Sequence, residues 1–191
     1  MLKSLVRGTI LGGLVAFVWS SISWEVLPWH EKPILSFQND EEVSAMIRTH
    51  TMKSGVYILP GGSMEGMTSE QKKAAQAALM EKMQKGPVMF AAIRRDGFGS
   101  YAQGLVIQLL SLVAAAFLLT WLVLQTGGLS YGKRVLFLAV VGLAAGVITE
   151  LPYWNWWGFS GMYTTVMIAD ATLTWLFAGL VIAKVAKPRM A

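Results

Sequence analysis

Four stretches of this sequence stay apolar for longer than a globular core requires. Leu5–Ser23 carries one charge, Arg7. Leu105–Leu124 and Val135–Thr149 carry none, and Met162–Ala183 carries a single acid, Asp170. A bilayer hydrocarbon core about 30 Å thick takes roughly 20 helical residues to cross. Inside it every backbone polar group must be satisfied within the segment, which favours helices. Three blocks reach that length directly. The third reaches it when it begins near Leu129 and lets the head groups of Lys133 and Arg134 extend toward the surface. Composition agrees: 14% of residues are charged, against about 25% in soluble domains. The expected fold class is an α-helical polytopic membrane protein. It has four transmembrane helices and a small extracytoplasmic α/β (βαβ-like) domain inserted between helices 1 and 2.

The basic residues orient it. Lys3 and Arg7 open the chain, Lys133 and Arg134 lie between the second and third blocks, and Lys184, Lys187 and Arg189 follow the fourth. The positive-inside rule places all three segments in the cytoplasm. Both termini are then cytoplasmic, and 24–104 and 150–161 face outward, as in a multi-pass protein of a bacterial inner (plasma) membrane. Segment 24–104 holds nine acidic and nine basic residues and is neutral. The chain's net +5 therefore sits on its inner segments. It reflects topology, and no nucleic-acid partner is expected, because no basic run is interleaved with aromatics. The organisation expected is a first membrane helix in 1–23, an outer domain in 24–104, and three membrane helices in 105–191. An alternative makes 1–23 a secretory signal, with Ser21-Ile22-Ser23 as the cleavage site. The length of the apolar run and Trp24 just beyond it favour a retained anchor.

One phrase occurs almost twice. "EVLPWH" (Glu25–His30) and "ELPYWN" (Glu150–Asn155) each follow an apolar run with an acid, Leu-Pro and aromatics. Trp24, Trp29, Trp154, Trp156 and Trp157 all gather at these two exits. Indoles favour the headgroup layer, and proline interrupts a helix. The repetition reads as two uses of one interfacial pattern. True duplication is disfavoured because Gly12 lies much farther before Glu25 than Gly146 does before Glu150.

Within the outer segment, Asn39 is placed to cap a helix starting at Asp40, with acids in its first turn. "GVYILP" (Gly55–Pro60) and "VMFAAI" (Val88–Ile93) read as strands. Thr68 and Gln71 form a capping box for a helix over Ser69–Lys85, which Gly86-Pro87 stops. Strand, helix, strand suggests a βαβ unit, right-handed if the strands are parallel. Two strands make a thin sheet, so the domain is expected to lean on the membrane helices or a partner.

Asp170 is the most unusual residue. A carboxylate in hydrocarbon costs about 2.5–3.5 kcal/mol on insertion scales, so it should face the bundle and hold a partner. Gln108, Ser111 and Thr174 are the candidate partners, giving an interhelical hydrogen bond or an ion or proton site. Glu25, His30 and Glu150 form a second candidate group at the outer mouth, provided the first and third helices adjoin. His50 reads as an exposed helix-end residue. Gly8, Gly12, Gly142 and Gly146 are small-x-x-x-small pairs that let helices approach closely, within the chain or with a partner.

Other chemistry finds little support. Cysteine is absent, removing thiol nucleophiles and cysteine-based metal centres. The methionine pairs Met64/Met67 and Met80/Met83 have soft donors that suit Cu(I) but equally serve as packing. "PGGSMEG" lacks the Gly-Lys-Ser/Thr ending of a phosphate loop. The functional expectation is a non-enzymatic accessory or interaction subunit with no cofactor and no metal. It would reside in the lipid bilayer with a protein partner or as a homo-oligomer. A small oligomeric ion- or proton-coupled transport module using Asp170 is the second expectation. A membrane-interface enzyme or periplasmic metal handler ranks behind both.

Overall fold

The computed structural model describes residues 1–186. Lys187 and Arg189, two of the bases used for orientation, lie outside the described residues. The elements run α1 (Leu2–Glu25), α2 (Asp40–His50), β1 (Gly55–Leu59), α3 (Ser69–Lys85), β2 (Met89–Ile93), α4 (Tyr101–Gln125), α5 (Tyr131–Trp157) and α6 (Gly161–Val185). α1, α4, α5 and α6 are long and apolar enough to cross a membrane. The chain is thus a polytopic membrane protein with a small non-membrane domain between its first two spans. It forms two compact units. One comprises residues 1–35 together with 100–186, and the other is Ser36–Gly99. The separate domain is narrower than 24–104, because residues 24–35 belong with the membrane helices.

In the membrane unit α1 packs against α4 and α6, and α5 packs against α6. α4 and α6 touch only slightly. The two central helices are therefore α1 and α6. The core is built from small and medium side chains, Ala16, Ala116, Val123, Leu138, Ala178 and Ile182 among them. Lipid tails are as apolar as leucine, so close van der Waals fit, not apolar burial, drives such contacts. The glycine pairs supply that fit inside this one chain. A methyl group on Gly142 would stand 2.6 Å from the Ala171 carbonyl oxygen, and one on Gly146 would stand 3.0 Å from Ile168 Cα. One on Gly12 would stand 2.6 Å from Ile182, and Gly8 lies directly against Thr120.

The twin phrases take different structures. α1 ends at Glu25, the Val26 and Leu27 amides close on Ile22, and Pro28 lies in the turn beyond. Pro152 instead sits inside α5, which continues to Trp157 and ends at Gly158 in the left-handed region. A proline forfeits its own helical hydrogen bond, and the turns on either side of Pro152 carry the helix through. The expectation that both prolines end their helices holds only for Pro28.

In the domain, the Asn39 side chain accepts from the Glu42 amide, and α3 carries the full capping box of Thr68 and Gln71. The strands pair antiparallel, Gly55 opposite Ile93 and Leu59 opposite Met89. The parallel, right-handed reading of a βαβ unit therefore does not apply. The connection 60–68 can extend about 30 Å, comparable to the rise of α3. Loop and helix can then offset one another, so that β2 starts beside the end of β1. Removing the cap hydroxyl by Thr68→Ala should cost about 1 kcal/mol of local stability. Faster amide exchange confined to the first turns of α3 would register it.

The domain buries almost nothing. Thr51 is its one buried residue, and none of its hydrophobic side chains is buried. Leu59, Met80, Val56 and Phe98 are all exposed.

Candidate functional site around Asp170 and His30

Asp170 lies nine residues into α6, about 13 Å along it. It faces α1. Ser23, near the end of α1, is fully buried and donates its hydroxyl to Asp170 Oδ1 at 2.7 Å. One turn earlier, the Trp19 indole N–H donates to the same oxygen at 2.8 Å. The chain then turns at Leu27-Pro28 and folds back. This places His30, 3% exposed, with Nε2 at 3.0 Å from Ser23 Oγ and 3.5 Å from Asp170 Oδ2. The Trp29 indole N–H donates to Ser23 Oγ at 3.0 Å.

Counting protons orients the whole cluster. A serine hydroxyl has one hydrogen and two lone pairs. Ser23 gives its hydrogen to Asp170 and accepts from Trp29, so the His30 contact must also be a donation. Nε2 of His30 therefore carries a proton, and the carboxylate gathers two firm donors with a third beside it. Aromatic rings enclose the cluster. Trp24 stacks on His30 at 3.9 Å and 9°, Trp29 meets His30 edge-on, and Trp19 packs on Phe177.

This arrangement does not activate Ser23 as a nucleophile. A catalytic histidine takes the serine proton on one ring nitrogen and is held by the acid on the other. Here serine and aspartate meet the same nitrogen, and the serine proton already points at the acid. What the cluster does chemically is pin the outer end of α1, the returning turn and α6 to one buried charge.

The residues singled out from sequence are distributed differently from their expected groupings. Gln108 and Ser111 do not reach Asp170. Both are exposed on α4, which barely meets α6, and Ser111 donates to the Ile107 carbonyl at 2.8 Å. Thr174 donates to the backbone carbonyl of Asp170, not to its carboxylate. Glu25, His30 and Glu150 do not converge, because α6 stands between α1 and α5. Glu25 accepts from Tyr101, Glu150 lies within electrostatic reach of Tyr163, and His30 goes to Asp170. His50 is exposed at the end of α2. Among the described residues no group of three metal-ligating side chains occurs.

Sequence reasoning missed Trp19, Ser23, Trp24 and Trp29 as cluster members. One signal was available. Gly8, Gly12, Ala16, Trp19 and Ser23 follow helical spacing along one face of α1, and four of the five are small. That stripe marks the packed face and ends at Ser23. Nothing local announces that His30 turns back onto it.

Burial holds the His30 pKa below the usual 6.5, and the neighbouring Asp170 carboxylate only partly opposes this. The unfolded chain therefore takes up this proton at a higher pH than the folded one. Stability should fall as pH drops below about 6.5 and level off beneath the lowered folded value. Thermal unfolding in detergent at neutral and mildly acidic pH, compared with His30→Gln, checks this. The variant should lose most of the pH difference.

No known family model matches the chain, and no curated protein or solved structure shows significant similarity to it.

Proposed function

We propose that this protein is a non-enzymatic accessory subunit of a bacterial inner membrane, with both termini cytoplasmic and Ser36–Gly99 displayed outside for a protein partner. One observation carries the reading. A unit running from Ser36 to Gly99 with no buried hydrophobic side chain lacks the core that stabilises a domain of its size. Its exposed Phe37, Met52, Val56 and Phe98 are the contact area a partner would cover. The Asp170–His30 cluster suits the same role by fixing where the chain leaves the membrane unit. Retention of α1 fits as well, since cleavage after Ser23 would remove Trp19 and Ser23 from the cluster.

Mild-detergent purification of the tagged full chain after crosslinking in native membranes tests the proposal. A stoichiometric second protein supports it. A chain that is monomeric, monodisperse and catalytically or transport-active alone sinks it.

The second reading, an oligomeric proton- or ion-coupled module, draws on the buried contact between Asp170 and His30. Reconstituted Asp170→Asn with unchanged proton or ion flux would dispose of it.

A further inference from the structure

A groove with a volume of about 460 Å³ runs along the seam between α1 and α6. It takes α1 between Leu14 and Ile22 and α6 between Phe177 and Val181, and nothing from α4 or α5. Leu14, Val18 and Leu180 are exposed, so the groove opens toward the hydrocarbon of the bilayer. Its lining says what fits it. Helices in lipid close on one another through small residues that bring backbones together. α1 does so on α4 at Gly13, where an added methyl would stand 2.8 Å from Val113 Cα. Every residue lining the groove is instead a leucine, valine, isoleucine, phenylalanine or tryptophan. Such side chains hold a second helix off and leave a relief that a flexible hydrocarbon chain can fill.

The same two helix faces lead to uncompensated charge. From Val18 the face of α1 steps through Leu14 and Leu11 to Arg7. From Phe177 the face of α6 steps through Val181 to Lys184. Both paths follow helical spacing. Gly12 lies against Ile182, so Lys184 and Arg7 sit within about one turn of each other along the bundle. Both side chains are exposed. Among the described residues there are two ion pairs, and neither involves Arg7 or Lys184. α1 holds no acid before Glu25. Leu14 is about 10 Å from Arg7 along α1, and Phe177 about 10 Å from Lys184 along α6. One leaflet, half of a hydrocarbon core about 30 Å thick, covers that depth.

We propose that this groove is a binding site for an anionic phospholipid from the leaflet at the Arg7 end of α1. One acyl chain lies in the groove, and Arg7 and Lys184 hold the headgroup phosphate. The guanidinium supplies a fork of N–H donors and the ammonium a point charge. Basic groups between membrane helices recognise acidic headgroups in this way. The site goes beyond the accessory-subunit reading, since the chain presents it with or without a protein partner.

The test uses the full-length protein in nanodiscs of zwitterionic phosphatidylcholine, doped with phosphatidylglycerol that carries a diazirine in one acyl chain. Adducts concentrated on residues 14–22 and 177–181 are expected, with only weak, scattered labelling by the matching phosphatidylcholine probe. Arg7→Gln and Lys184→Gln should each lower the groove adduct about fivefold, the worth of one basic residue near the headgroups. Lys133→Gln, in the first turn of α5, should leave it unchanged. Val18→Trp, which fills the groove, should displace the adduct while circular dichroism and elution stay those of the parent. Equal labelling by the two probes, adducts spread over α4 and α5, or full yield in both charge variants overturns the proposal. So does a photoreactive amino acid at Val18 in living cells that captures a protein helix or a second copy of the chain in place of lipid. A captured partner helix would leave the accessory reading standing.

Discussion

Asp170→Leu should lower the unfolding free energy of the membrane unit by about 3 kcal/mol or more. The carboxylate is the shared acceptor for Trp19 and Ser23 and lies beside His30. Leucine fills the volume but accepts nothing. A buried hydroxyl and a half-buried indole N–H then lose their acceptor, and His30 loses the charge that opposes its desolvation. Each unsatisfied group costs its own desolvation, about 1–3 kcal/mol, and local relaxation recovers part of it. Asp170→Asn should cost less, because its amide oxygen still serves Trp19 and Ser23. Its NH2 group, however, would face a protonated Nε2 across the 3.5 Å gap. Thermal unfolding in detergent gives the ranking. Trp19 gives a second readout, since its loss of an acceptor in Asp170→Leu should shift tryptophan emission, whereas Asp170→Asn keeps the acceptor and should shift it little. An Asp170→Leu protein as stable as the parent would show that the cluster clasps nothing.

Gly142→Leu should separate α5 from α6. A first side-chain carbon at Gly142 already stands 2.6 Å from the Ala171 carbonyl oxygen and 3.0 Å from Trp175. The oxygen belongs to backbone and cannot swing aside, so the helices must part. Overpacking a well-fitted interior costs about 1–3 kcal/mol. Here the cost should reach the top of that range or exceed it, because α6 is the helix that α5 packs against. Gly132→Ala is the control. It lies in the first turn of the same helix with nothing near its added methyl, and alanine improves helix propensity by up to about 1 kcal/mol. The pair should move apart in thermal stability, Gly142→Leu down and Gly132→Ala level or up. Equal midpoints would mean that the glycine contact does not hold the bundle.

The two variants probe contacts that differ in how far the sequence announces them. Gly142 and Gly146 could be singled out by spacing alone, since small residues four apart on an apolar helix have one principal use. Which helix they receive was not legible, because the same spacing serves an intrachain neighbour and a partner equally. Asp170 could be singled out by its isolation in an uncharged run. Its partners could not. Gln108 and Ser111 looked suitable by depth, but depth says nothing about which helix faces which. His30 looked interfacial because it follows a proline and an exit. Only the reversal at Leu27-Pro28 carries it back to α6.

The sequence by itself determined the four spans, the capped starts of α2 and α3, and both strands. Each of these rests on composition and periodicity over neighbouring residues, and bilayer thickness and capping chemistry act locally. The tertiary structure alone decided that α1 lies against α6, that β1 and β2 run antiparallel, and that one Leu-Pro turns the chain while the other stays helical. It also decided that Ser23 and His30 share one buried charge with Asp170. The α1–α6 packing and the Asp170 contacts depend on which surfaces meet across more than a hundred residues of chain. Small residues and a single acid state that a close contact exists, while its address is set by the packing of the whole bundle.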